Sequence, residues 1–245
     1  MNGDTLIVAA GLQSFGDSDR VCNLDLEAMG GRIVCLVGPG GSGKSTWLRI
    51  LAGVNPPATG RLRLLGADIP NRDTPAWRQL RCQAAFIPAG APLLSVVDAL
   101  NNVMLPALYH RLGTPDSIRM RAKETLEFLG YSGSLEALPA HLSQHERLLL
   151  AIGRCLMLSP QLLFLDEPFH MTDDACRRRE AEIYQRLARE RGMTVFVATH
   201  NLGFVKRYAS DIVFIHTQGV WKFDSWQAFA QAPLAEARAF LDAAA

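Results

Sequence analysis

The sequence has no apolar run approaching the roughly 18 to 20 residues that a membrane-crossing helix needs. Its richest stretch, LLLAIGRCLMLSP, is interrupted by Arg154 and closed by Pro160. Charge of one sign is also missing in excess. The 25 Lys and Arg against 24 Asp and Glu leave a net +1, which exerts no general pull toward nucleic acid or an anionic membrane. Cysteine is sparse: Cys22, Cys35, Cys82, Cys155 and Cys176 are odd in number and contain no C-x-x-C pair. That pattern suits idle thiols in a reducing compartment better than a disulfide framework. The opening MNGDTLIVAAGLQ lacks the basic segment of a secretory leader. The expectation is a cytoplasmic protein whose connection to a membrane, if it has one, runs through a partner.

What is present describes a folded globular chain of 245 residues, 49% hydrophobic and 20% charged. Short β-like runs fill the first third: TLIVAA, VCNLDLEA and RIVCLVG, then a glycine-rich loop, the amphipathic STWLRILAG, and the strand-like RLRLLG and QAAFIP. Helical periodicity takes over from about Leu94 to Ser159. Strands return as QLLFLDE, TVFVATH, DIVFIHT and VWKFD, with the charged helix DDACRRREAEIYQRLARERG among them. The alternation predicts a parallel α/β sheet interrupted by a helical lobe. The basic run in the charged helix reads as a solvated face with Glu–Arg pairs at helical spacing. His141 and His145 share a helical spacing, but no Cys or third His stands near them to complete a metal set.

The segment GPGGSGKST, Gly38 to Thr46, matches G-x-x-x-x-G-K-[ST] in full and lies between a strand-like and a helix-like segment. Gly38, Gly40, Gly41 and Gly43 let the loop curl so that its backbone N–H groups point inward at phosphate oxygens. Pro39 and Ser42 complete the loop, and the following helix adds its positive end. Lys44 can neutralise β/γ-phosphates, and the Ser45 hydroxyl can ligate Mg2+. QLLFLDEP then supplies two carboxylates at the end of a buried strand, the edge where ligands sit in open α/β sheets. Asp166 would hold Mg2+, and Glu167 would accept the proton of an attacking water. TVFVATHN ends another apolar strand at His200, within reach of a γ-phosphate.

Taken together, these segments resemble the ATP-binding-cassette (ABC) ATPases over essentially the whole chain. GPGGSGKST is similar to the Walker A motif and LLFLDE to Walker B with its catalytic glutamate. Asp173, after Thr172, looks like the end of the D-loop, His200 like the switch histidine, and Phe15 like the aromatic residue that stacks on adenine. The resemblance implies a RecA-like P-loop core with a mostly parallel sheet, an N-terminal antiparallel β subdomain and an inserted helical subdomain. The whole chain is then one ABC ATPase domain, with residues 1–88 and 161–224 as the nucleotide-binding core, 89–160 as the helical subdomain and 225–245 as a helical tail. It also implies ATP and Mg2+ as cofactors, a second ABC ATPase chain, and an integral-membrane permease that places the chain on the cytoplasmic face of the inner membrane.

Two departures from the family pattern stand out. LSQHE, Leu142 to Glu146, occupies the place of the signature L-S-G-G-Q, whose helix start faces the ATP held by a partner's Walker A loop. Ser143 is kept as the candidate ligand, but Gln144 and His145 replace both glycines. The expectation is that these bulky side chains push the loop away or impose another geometry. Ser143 and Glu146 also form an S-x-x-E capping box. In FIPAGAPLLSVVDALNNVMLP, Pro88 or Ala89 stands where the family's Q-loop glutamine would be, and the nearest glutamine, Gln83, comes too early. A consensus partner in a heterodimer, a slowly hydrolysing homodimer, and a non-hydrolytic or regulatory subunit all fit these changes.

Within the family, DEPFHMTDD, the run AGAP to NNVMLPAL, and APLAEARAFLDA are similar to the ATPases of Mla-type phospholipid transporters. NNVMLPAL is also similar to the lipoprotein-release and macrolide-export ATPases. The first resemblance implies lipid trafficking across the cell envelope and a lipid-binding periplasmic component as a further partner.

Overall fold

The computed structural model describes residues 5–14, 23–69, 74–169 and 174–243. The chain begins with β1 (Thr5–Gln13), β2 (Asn23–Met29) and β3 (Ile33–Val37), followed by α1 (Lys44–Leu51). Next come β4 (Thr59–Leu64), β5 (Ala67–Asp68), α2 (Pro75–Gln83) and β6 (Ala84–Ile87). The helical stretch contains α3 (Ala99–Tyr109), α4 (Pro115–Phe128) and α5 (Gln144–Leu156). It is followed by β7 (Leu162–Asp166), α6 (Asp174–Arg191), β8 (Thr194–Ala198), α7 (Leu202–Tyr208) and β9 (Asp211–His216). The chain closes with β10 (Gly219–Phe223), α8 (Trp226–Ala230) and α9 (Ala235–Ala243). Helix α2, started by the Thr74 hydroxyl accepting from the Trp77 N–H, was not anticipated from periodicity.

The strands form two sheets. One is antiparallel, in the order β2-β1-β4-β5. The other has the order β10-β9-β3-β8-β7-β6, and its members are parallel except for β10. Strands β3, β7 and β8 are buried along their whole length, which is why they read as unbroken apolar runs. Their side chains alternate between two cores. Leu163, Leu165, Val195 and Val197 join one cluster with α5 and α6. Leu162, Phe164, Phe196 and Ala198 join the other with α1 and the antiparallel sheet, where the Phe164 and Phe196 rings stack at 4.7 Å. The mixed parallel and antiparallel sheets with an inserted helical lobe give the α/β architecture of a P-loop NTPase.

The lobe has a third core, built from Val103, Met104, Ile118, Ala122, Leu126, Leu150 and Met157. Helix α5 belongs to both sides. Leu148, Leu149, Ile152 and Leu156 pack with the sheet, whereas Leu150 faces the lobe. The loop before α3 is pinned by buried Asn102, which accepts from the Leu94 N–H at 2.9 Å and donates to the Val97 carbonyl at 2.7 Å. Arg154 holds the same loop by donating to the Pro92 carbonyl at 2.8 Å.

Helix α6 carries the solvated basic face that the sequence predicts, with one exception. Its arginines do form exposed pairs, Arg177 with Asp174 and Arg186 with Glu190. Glu180, however, is fully buried and meets the His145 imidazole Nδ1 at 2.9 Å. Helical periodicity explains the difference, because Glu180 shares a face with the buried Ile183, Tyr184 and Leu187. His145→Ala leaves that carboxylate without its imidazole, at a cost of about 1 to 3 kcal/mol. Scanning calorimetry should show a lower Tm by roughly 2–4 °C for each kcal/mol lost. An unchanged Tm would remove the His145–Glu180 contact from the list of ties between α5 and α6.

Candidate active site

Parallel strands all end on one edge of a sheet, and this edge collects the polar residues. The loop Gly38 to Gly43 leaves the end of β3, Asp166 and Glu167 end β7, and Thr199 and His200 follow β8. These three strands are neighbours in the order β3-β8-β7, so residues over 120 positions apart in sequence come together.

Gly38 is demanded by space. A Cβ there would sit 2.0 Å from the Ile215 carbonyl oxygen and 2.9 Å from Ser42 Oγ. The loop closes with the Ser42 N–H donating to the Pro39 carbonyl at 3.2 Å, leaving Gly40 and Gly41 exposed at its crown. Ser42 Oγ is buried and has no hydrogen-bond partner among the described residues. Gly43 caps α1 in the left-handed region, φ 94°, and provides no side-chain acceptor for the first turn. Helices α2, α3, α4, α5, α7 and α8 each begin with a Thr, Asp, Ser or Asn side chain accepting from a first-turn N–H. The head of α1 thus keeps its N–H groups and its positive dipole end for an anion.

Lys44, the first residue of α1, is buried and donates to the carbonyl oxygens of Gly38 and Pro39, each at 3.0 Å. Burial lowers its pKa, and the carboxylates of Glu167 and then Asp166 oppose that shift. Ser45 donates its hydroxyl proton to Asp166 Oδ1 at 2.7 Å. The other Asp166 oxygen lies 3.6 Å from Arg49 Nη2. Thr46 follows on α1, ahead of Trp47, which is buried in the core under the loop.

Glu167 holds a left-handed backbone, φ 47°, which costs a non-glycine residue about 1 to 2 kcal/mol. Its N–H donates to the Ala198 carbonyl at 2.9 Å, tying the turn to β8. Its carboxylate meets His200 Nε2 at 3.0 Å, and His200 Nδ1 is 3.5 Å from Lys44 Nζ. An ammonium beside Nδ1 makes that nitrogen the acceptor, so Nε2 carries the proton and donates to Glu167. Burial first, and Lys44 second, hold the His200 pKa below its ordinary value.

The donor set suits Mg2+. Among the described residues no group of three His, Cys, Asp or Glu side chains gathers for a metal. Mg2+ asks instead for one or two carboxylates and shares its remaining positions with phosphate and water. The hard oxygens of Ser45 and Asp166, converging beside the loop, meet that requirement.

Elsewhere the sequence-derived candidates divide. Phe15, Thr172 and Asp173 lie outside the described residues. Ser143 caps α5: its oxygen accepts from the Glu146 N–H at 3.2 Å, while Glu146 takes the Ser143 N–H at 2.8 Å. Among the described residues it forms no hydrogen bond with the phosphate loop. His145 turns inward to Glu180. Gln83 sits at the opposite end of β6, where its carbonyl accepts from the Gln161 N–H. Arg49 went unnoticed in the sequence because its contact with Asp166 depends on the pairing of distant segments.

A family model described as ABC transporter matches residues 21–170. An uncharacterised ABC transporter ATP-binding protein of Escherichia coli K12, YbbA, is 37% identical over 185 residues, covering 75% of this chain and 81% of that protein. The glutamine transport ATP-binding protein GlnQ of the same strain is 32% identical over 201 residues, covering 82% and 83% respectively. Among solved structures, the dimeric ATP-binding cassette MJ0796 in a post-hydrolysis state with ADP and Pi superposes with a TM-score of 0.79. It is 23% identical and covers 89% of this chain and 98% of that one, a likeness of fold.

Two outcomes check the site. Gly38→Ala drives a methyl group into the Ile215 carbonyl, so nucleotide affinity measured by calorimetry should fall at least about tenfold. His200, with its folded pKa lowered, is neutral at pH 7 and destabilises the fold as pH drops below 6.5 toward the folded value. Nuclear magnetic resonance should find its midpoint below 6.5, and Lys44→Ala should move that midpoint upward. A midpoint above 6.5 would show that the Glu167 carboxylate, 3.0 Å from Nε2, outweighs burial and Lys44.

Proposed function

This chain belongs to the ABC transporter family, and we propose that its own Walker A and Walker B residues bind and hydrolyse Mg·ATP to drive a lipid-trafficking transporter of the cell envelope. One observation carries the hydrolytic reading: Lys44, the Ser45–Asp166 pair and the Glu167–His200 pair meet at the ends of adjacent strands β3, β7 and β8. The loop amides and the head of α1 hold the phosphates, and Lys44 moves its donors from the loop carbonyls to phosphate oxygens. Ser45 and Asp166 would hold Mg2+, which would supply positive charge beside the phosphates. Glu167 accepts the proton of the attacking water, and His200 holds that carboxylate through Nε2–H.

In this reading residues 1–88 and 161–224 form the nucleotide core, 89–160 the helical subdomain and 225–245 the tail. Phe15 stacks on the adenine, while Ser143 and Asp173 serve the interface with a second ATPase chain. A permease is supported by where apolar surface is left uncovered. Every exposed large hydrophobic side chain among the described residues lies between Leu94 and Leu138. Val96 is 87% exposed and Tyr109 80%, with Leu105, Leu108, Leu112 and Met120 exposed nearby in sequence. Such a concentration marks an interaction face. No helix among the described residues is long and apolar enough to cross a membrane, which suits a peripheral subunit. The lipid assignment rests on DEPFHMTDD, the NNVMLPAL run and the APLAEARAFLDA tail.

Glu167→Gln keeps the size and fold of the site while removing the base. The assembled complex should bind ATP as before and turn it over at least about 100-fold more slowly. Unchanged turnover would assign hydrolysis to another chain and leave this one as a nucleotide-binding partner.

A further inference from the structure

The two departures from the family pattern meet in space. Helix α5 has 13 residues, roughly 20 Å, and the chain then turns back into β7, whose five residues span roughly 16 Å. The head of α5 therefore returns beside the end of β7. Strand β6 pairs with β7 in parallel, Ile87 opposite Leu165, so Pro88 leaves the sheet at the same edge. Pro88, Gly90, Gln144, Asp166, Glu167 and Pro168 line one narrow cleft of about 10 Å³. That is the lower bound of the volume one water molecule requires, and a water so held needs two or more polar partners.

Gln144 is oriented for this cleft. Arg147, one turn along α5, donates to Gln144 Oε1 at 2.9 Å, which fixes the amide and leaves its NH2 as the half free to donate. Leu148, on the same face of the helix, lines the cleft and is anchored in the sheet core, which fixes the backbone of the α5 head beside it. Pro88 also lines the cleft and has neither a backbone N–H nor a polar side chain to offer. Outside the Asp166–Pro168 turn, Gln144 is the lining residue whose side chain can donate into the cleft.

We propose that Gln144 is a positioning residue for the catalytic carboxylates of its own chain: through one water in this cleft its amide orients Asp166 and Glu167, supplying from the head of α5 what Pro88 cannot supply from the end of β6. The inference rests on the hydrolytic reading above. It reverses the sense of the altered signature, because the side chain that replaces a glycine serves the site on its own chain. Putting glycine back at 144 should then slow turnover.

The test compares Gln144→Ala, Gln144→Gly and the isosteric Gln144→Glu in the full chain with its companions. Each should lower kcat by roughly tenfold with KM for ATP unchanged, the loss of one bridged hydrogen bond made to the reacting carboxylates. Gln144→Glu preserves the shape of the helix start and decides the matter should the smaller residues disturb folding. In the free protein, the side-chain amide resonance of Gln144, identified by its absence in Gln144→Ala, should move when Glu167 becomes Gln. Undiminished kcat in Gln144→Glu, a rise in kcat on Gln144→Gly, or an amide signal indifferent to Glu167→Gln overturns the proposal. If Glu167→Gln itself turns over ATP normally, the hydrolytic reading falls. If only the Gln144 variants do, that reading stands and the positioning role alone is lost.

Discussion

The phosphate loop passes so close beneath β9 that the α-carbon of Gly38 faces the Ile215 carbonyl with no room for a side chain. This tight passage lets β3 end in a turn instead of running on. The turn brings Lys44 back over the loop's own carbonyl oxygens and starts α1 without a side-chain cap. Everything else at the edge is arranged around that ammonium. It faces His200 Nδ1, it feels the Glu167 and Asp166 carboxylates, and the next residue, Ser45, joins α1 to β7 through Asp166. A loop displaced outward by one methyl group would loosen all of these contacts together.

The arrangement is held by the sheet more than by the polar residues themselves. Buried β3, β7 and β8 place their ends with the fixed spacing of a parallel ladder, and the Phe164–Phe196 stack beneath them resists sliding. The left-handed turn at Glu167 is tolerated because its N–H is bound to Ala198 on the neighbouring strand. Strain stored there is a local cost carried by a strongly packed core.

The P-loop was legible in the sequence because its chemistry is local: glycines, lysine and serine act within nine consecutive residues. The strand-end carboxylates and His200 were legible for a related reason, since an unbroken apolar run followed by a polar residue marks the exit of a buried parallel strand. What stayed hidden were contacts made by pairing distant segments. Arg49 reaching Asp166, Asn102 pinning the 94–97 loop, and Glu180 buried against His145 carry no local signature. The charged helix misled for the same reason: a carboxylate among arginines looks solvated until its helical phase beside Ile183 and Tyr184 is counted. Gln144 and His145, bulky where small residues were expected, have different surroundings: His145 meets Glu180 on α6, and Gln144 lines the cleft at the end of β7.

Helix α5 gives its side chains to two cores at once, and Arg154 ties it to the loop that precedes α3. The lobe and the sheet therefore share one element, and the loop that opens the segment of exposed apolar side chains is tied through Arg154 to the helix whose head lines the cleft beside Asp166 and Glu167.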